Sequence, residues 1–172
     1  MNATNRPNKE QSKKLRFPHW LTPFYFAVLI PLAMIIAPWA CSLLTPHYGW
    51  VMGRPSAWQL FGLILVAVGI ACIIWIIVLH YNAAPEGWEF ERTPKYLLRR
   101  GPYRFTRNPS FLSVLIIGLG WAFFYGSLSI LIGVFLGWML FNFVAVPHEE
   151  RDLEARFGAS YLEYRNRVPR WL

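Results

Sequence analysis

Between Arg99 and Pro109 the chain places four arginines and two prolines in eleven residues, and beyond Arg107 no charge returns until Glu149. Asn108-Pro109 is a helix-start pair. Asn is favoured at the N-cap, and Pro at the first helical position forfeits only an amide that has no helical partner there. Arg104 and Arg107 stand just before it. Unpaired backbone donors, the positive end of a helix dipole and two guanidinium groups together suit a carboxylate or a phosphate. At the far end of the uncharged stretch come His148, Glu149 and Glu150. If the stretch doubles back, two carboxylates face an anion-binding helix start, an arrangement for a zwitterionic ligand or one carrying a separate cation. The same residues have a plainer use: arginines at the end of a membrane span are ordinary topology anchors, and the carboxylates can pair with them.

The elements that must position these groups are apolar. Of 172 residues, 55% are hydrophobic and 17% aromatic. Between Arg16 and Glu86 the only charged residue is Arg54, and uncharged runs of that length belong in a bilayer. A first span is expected over 20–44, with Pro31 and Pro38 inside it, and a second from Trp58 to His80. The connector 81–108 is broken by Pro85, Pro94, Pro102, Gly87 and Gly101. The uncharged stretch is too long for one crossing and offers a turn at Gly126-Ser127. It reads as a hairpin of Pro109 to Tyr125 and Leu128 to Val146, each arm about 25–28 Å long. Beyond it, Leu153, Phe157, Tyr161, Tyr164 and Val168 recur at helical spacing, with Gly158 as an interruption. The expectation is an all-α integral membrane protein of about four transmembrane helices with a C-terminal amphipathic helix. It forms one domain over 1–172: a cytoplasmic tail 1–19, two spans within 20–80, a cytoplasmic connector 81–108, the hairpin 109–146 and the amphipathic segment 147–172.

The net charge of +8 does not point to nucleic acid, because sixteen of the seventeen Lys and Arg fall in the N-terminal tail, the stretch 92–107 and the C-terminal segment. That is the pattern of cytoplasmic segments in a positive-inside protein, with both termini in the cytoplasm and the cell membrane as the expected location. The first apolar run is too long for a signal peptide and reads as an uncleaved span. Cys41 and Cys72 fall inside apolar runs, where they are expected as small buried hydrophobes; neither a metal site nor a disulfide framework is indicated.

Gly101-Pro102-Tyr103-Arg104, Arg107-Asn108-Pro109, Glu149-Glu150 with Leu153, Phe157-Gly158, Tyr161, Tyr164 and Val168-Pro169 together resemble the isoprenylcysteine carboxyl methyltransferase family, as a short prokaryotic member. The phospholipid N-methyltransferases are similar in the same region. The resemblance runs from about Thr93 to the end, and its force lies in the order and spacing of short motifs around a charge-free hairpin. It implies a membrane methyltransferase that uses S-adenosyl-L-methionine. Carried over by position, the cofactor-binding residues are Tyr103, Arg107, Asn108, Pro109 and Ser113 on one side and His148, Glu149 and Glu150 on the other, with Arg107 and Glu150 as the catalytic pair. Where the family pattern has Arg-His-Pro, a Tyr and a Gly, this chain has Asn108, Phe111 and Ser113.

The implied chemistry agrees with the residue types. Methyl transfer from a sulfonium is an in-line displacement that needs no metal and no covalent enzyme intermediate, so positioning dominates. The cofactor carboxylate suits the arginines and helix start, its amino and ribose groups suit the glutamates, and an aromatic face such as Tyr103 suits the sulfonium. A carboxylate acceptor needs no base; an amine acceptor must lose a proton, for which His148 is the nearby candidate. The expected partners are the lipid bilayer and a lipophilic small-molecule acceptor. Two other classes stay open at this level, a nicotinamide-dependent membrane reductase and a non-enzymatic membrane scaffold.

Overall fold

The computed structural model describes residues 30–83 and 96–172. The tail 1–19, the first part of the first expected span and the connector segment 84–95 lie outside the described residues. The chain divides into two units, 1–36 and 37–172; apart from residues 30–36 of the first helix, the helices described below lie in the second. The described secondary structure is all-helical: α1 (Ile30–Ser42), α2 (Phe61–Ala83), α3 (Pro109–Tyr125), α4 (Leu128–Leu140), α5 (Val146–Phe157) and α6 (Ala159–Arg167). Single tight turns precede α2 at Ala57–Leu60 and α3 at Gly101–Arg104.

Among the described residues, two helical stretches are long and apolar enough to cross a membrane, Ala57–Ala83 and Leu128–Phe157; α3 is a shorter apolar helix of 17 residues. Much of their surface is exposed hydrocarbon, including Ile64, Ile74, Leu131, Phe135 and Leu136. In water such a surface would drive aggregation, whereas a bilayer solvates it. Cys41 is exposed and Cys72 half-buried, so neither is the core residue expected. A span only has to satisfy its backbone internally, and its lipid face tolerates a small thiol without packing.

Helices α2 and α3 cross through glycines. A Cβ added at Gly120 would lie 2.6 Å from the Gly62 carbonyl, and one added at Gly69 would lie 2.5 Å from the Ile117 side chain. Close backbone approach of this kind replaces the hydrophobic effect as the source of helix association in lipid. The hairpin turns where expected. Gly126 ends α3 with φ +56°, and its carbonyl accepts the Tyr48 amide at 3.0 Å.

The second arm of the hairpin does not stop at Val146. Residues Phe141–Ala145 form a π-helical turn that joins α4 to α5, so one helix runs unbroken from Leu128 to Phe157. Pro147 sits in the first turn of α5 without ending the helix. The wider turn just before it moves away the carbonyl that a proline ring would otherwise strike. The expected amphipathic C-terminal helix is two helices, α5 and α6, separated at Gly158 with φ +52°, a conformation that favours glycine.

Candidate functional site

The hairpin brings its two ends together at a mouth beside the start of α3. Arg107 meets Glu150 there, with Nη1 2.8 Å from Oε1 and only 10% and 11% of the two side chains exposed. Arg170 reaches the same carboxylate from the chain's C-terminal segment, its Nη2 donating to Oε2 at 2.6 Å and its Nε to Oε1 at 3.3 Å. Glu150 is thus clamped between two guanidinium groups. Charge-assisted bonds of this geometry are the strong ones, and burial is tolerable because the carboxylate is multiply satisfied.

Beyond Val168 the chain leaves α6 and passes across the mouth. The Pro169 carbonyl accepts the Arg107 amide at 3.0 Å, and the Arg170 carbonyl accepts both the Thr106 hydroxyl at 2.9 Å and the Asn108 side-chain amide at 3.0 Å. Trp171 Nε1 donates to Asn142 Oδ1 in the π-helical turn at 3.0 Å. Arg107 Nη1 also lies 3.4 Å from the Tyr161 hydroxyl. Asn108 therefore occupies the N-cap position without capping α3 through its side chain, which is spent on the Arg170 carbonyl. Arg107 Nε is buried without a hydrogen-bond partner among the described residues.

The expected site residues separate into two groups. Arg107, Asn108, Pro109 and Glu150 converge on the mouth, with Asn108, Pro109 and Glu150 buried and Glu149 half-buried beside them. Ser113 is buried one turn deeper, its hydroxyl donated to the Pro109 carbonyl at 2.8 Å within the same helix. His148 is exposed and faces Asp152 at 3.8 Å, away from the Arg107–Glu150 pair. Residues 148 and 150 are two apart, so their side chains leave the helix about 200° apart. Arg104 is exposed.

Tyr103 belongs to an adjoining cluster. Its hydroxyl lies 2.9 Å from His80 Nε2, and its carbonyl accepts the Tyr164 hydroxyl at 2.7 Å. Burial pushes the Tyr103 phenol up to about 12; a Ser110 hydrogen bond opposes the rise and the nearby Glu149 carboxylate adds to it. Burial also raises the phenols of Tyr161, where Glu150 adds and Arg107 opposes, and of Tyr164, where Tyr103 adds. All three phenols stay protonated near neutrality; Tyr164 donates to the Tyr103 carbonyl, whereas Tyr161 accepts from Arg107.

Sequence reasoning missed Thr106, Arg170, His80 and Tyr96. One signal was available: Val168-Pro169 must end a helix, so the residues after it were free to turn back onto the mouth. Nothing in the spacing marks His80, which ends the second apolar run.

Below the mouth, between α3 and α4, runs an apolar groove of about 550 Å³. Leu112, one turn into α3, and Trp138 line it, as do Leu115, Leu119, Leu131 and Phe135.

These features define an all-helical membrane protein with a polar, arginine-rich mouth at one end of a hairpin. The chain belongs to the phospholipid methyltransferase family, whose family model matches residues 58–160. An uncharacterized protein of Haemophilus influenzae is 36% identical over 62 residues, which cover 36% of this chain and 98% of that protein. No solved structure matches. Family membership indicates methyl transfer at a membrane.

Proposed function

We propose that the protein is an S-adenosyl-L-methionine-dependent methyltransferase of the isoprenylcysteine carboxyl methyltransferase type, acting on a lipophilic acceptor at the cytoplasmic face of the membrane. The observation that carries this reading is the Arg107 side chain, nine-tenths buried at the mouth with its Nε unpartnered among the described residues, next to a helix start that no described side chain caps. A buried donor left open costs about 1–3 kcal/mol, and an anionic ligand would relieve it.

The residues present fit the cofactor. Arg107 Nε and the first amides of α3 would hold its carboxylate, and Glu149 would hold its amino or ribose groups. Glu150 then has a different task from the one its spacing suggested: it fixes the Arg107 and Arg170 guanidinium groups and so sets the geometry of the mouth. When bound, the cofactor supplies an electrophilic methyl group on a sulfonium. The residues Val168–Leu172, which lie over the mouth, exclude water from it. The acceptor enters from the bilayer, its hydrocarbon along the α3–α4 groove and its polar end at the mouth.

This reading includes four spans with both termini cytoplasmic, supported by the placement of sixteen Lys and Arg away from the Gly53 loop. Calorimetric titration of detergent-solubilised protein with S-adenosylhomocysteine tests it. One binding site is expected, weakened at least tenfold in Arg107→Gln. Binding of a reduced nicotinamide instead would overturn the reading in favour of a reductase, and binding of neither would favour a scaffold.

A further inference from the structure

In this arrangement no ligand can reach the Arg107 side chain. Its Nε is buried, and Thr106 and Asn108 on either side of it are only 3% and 6% exposed. The segment bonded across all three is the short strap Val168–Leu172. The Pro169 carbonyl takes the Arg107 amide, and the Arg170 carbonyl takes the Thr106 hydroxyl and the Asn108 side-chain amide. The strap's own oxygens thus stand on donors that a carboxylate would seek. It is moored to the other arm of the hairpin as well. Arg170 pairs with Glu150 on α5, and Trp171 Nε1 donates to Asn142 Oδ1 in the π-helical turn.

Something at the mouth must move before a ligand can enter, and the strap moves at the least cost. Helix α3 is locked to α2 where Gly120 and Gly62 meet backbone to backbone, and Glu150 lies within the unbroken helix 128–157. The strap has no regular secondary structure. The chain leaves α6 at Val168, whose φ of −121° and ψ of 128° are extended. Pro169 fixes its own φ and keeps Val168 extended, so the segment swings as a stiff unit about the end of α6. Among the described residues, four hydrogen bonds and the Arg170–Glu150 ion pair hold it down, and each is exchanged for bonds to water when it lifts.

We propose that Val168–Leu172 is a gate: it lifts about Val168 to admit the anionic end of the cofactor to Arg107 and closes again over it, latched by Trp171 on Asn142. The identity of the ligand rests on the methyl-transfer reading above; the motion does not. Entry and exit wait on the same opening. Weakening the latch raises the open fraction in free and loaded protein alike, so association and dissociation quicken by the same factor and affinity hardly changes.

Amide hydrogen exchange of the ligand-free protein in micelles, read by NMR, measures the opening. Relative to intrinsic rates, the Arg107 amide, bonded to the strap, should exchange at least tenfold faster than the Ile117 amide in the buried middle of α3. Trp171→Phe keeps the ring and loses the N–H. It should speed exchange at Arg107 about three- to tenfold, the effect of one net hydrogen bond, and leave Ile117 unchanged. Asn142→Leu removes the same bond from the other side and should do the same, with no further gain in the double variant. Equal protection of Arg107 and Ile117, or no response to either variant, would overturn the gate. Surface plasmon resonance with S-adenosylhomocysteine should then show both rate constants raised about three- to tenfold in Trp171→Phe, with Kd within threefold of wild type. Unchanged rate constants would refute gating, and faster association with unchanged dissociation would refute closure over the ligand. Wild-type protein that binds no S-adenosylhomocysteine would refute the methyl-transfer reading, and with it the cofactor's part in the proposal, whatever the exchange rates show.

Discussion

Replacing Glu150 by alanine would leave the Arg107 guanidinium buried and Arg170 half-buried without their shared carboxylate. The pair is about nine-tenths buried, and removing one member of such a pair costs about 3–5 kcal/mol. Arg107→Ala should cost less, about 1.5–3 kcal/mol, because Glu150 keeps its two bonds from Arg170. With Glu150 already gone, removing Arg107 removes a stranded charge and should cost nothing further. The double-mutant cycle therefore predicts a coupling of about 1.5–3 kcal/mol between residues 107 and 150, against about 0.5 kcal/mol or less for sites that do not interact. Equilibrium unfolding of the four proteins in mixed micelles measures it. Additivity within about 0.5 kcal/mol would refute the clamp and return both residues to independent surface roles. Repeating the cycle with Arg170 in place of Arg107 should give a smaller coupling, since the Arg170 side chain is 35% exposed and better screened.

Gly120→Ala should lower stability by about 1–3 kcal/mol, because the new methyl meets the Gly62 carbonyl, whereas Gly133→Ala, with nothing within 4 Å, should be neutral or slightly stabilising; thermal unfolding of the two variants compares them. Stability should hold steady up to about pH 10 and then fall as pH rises toward about 12, because the folded Tyr103 phenol binds its proton more tightly than the unfolded one; tyrosinate absorbance during alkaline unfolding reads this, and Tyr103→Phe should flatten the fall. Reporter fusions at Gly53 and at the C-terminus should report opposite sides of the membrane, and the same side for both would refute the four-span topology.

The hairpin was legible because two simple signals agreed: an uncharged stretch too long to cross once, and a Gly-Ser pair in its middle. The meeting of Arg107 with Glu150 followed from that geometry alone. What the sequence hid was the competition for these groups. Asn108 was expected to cap α3, but a backbone carbonyl 62 residues further along the chain, that of Arg170, takes its amide instead. Glu150 looked like a free carboxylate because its second partner lies 20 residues on, past two helix breaks. His148 and Glu150 could not be told apart as mouth residues, since which of them faces inward depends on the rotation of α5, and no residue type announces the π-helical turn that sets it. His80 was invisible for a different reason: its meaning comes only from the two tyrosines brought to it by tertiary packing.

The π-helical turn at Phe141–Ala145 has a consequence for how this chain tolerates insertion and deletion. Such a turn accommodates one residue more than a regular turn, so everything after it is rotated by about 100° relative to an uninterrupted helix. A deletion of one residue within 141–145 would let the helix close into regular geometry with no loss of apolar length. The span would still cross and the hydropathy profile would hardly change. Glu150 would also keep its facing toward Arg107, because the residue removed and the wide turn closed change the phase by about 100° in opposite senses. The turn works as a phase setting between the lipid-facing and mouth-facing halves of one long helix, so a single deletion should be better tolerated within it than in the regular stretch 128–140, where it would swing Glu150 about a quarter-turn away from Arg107.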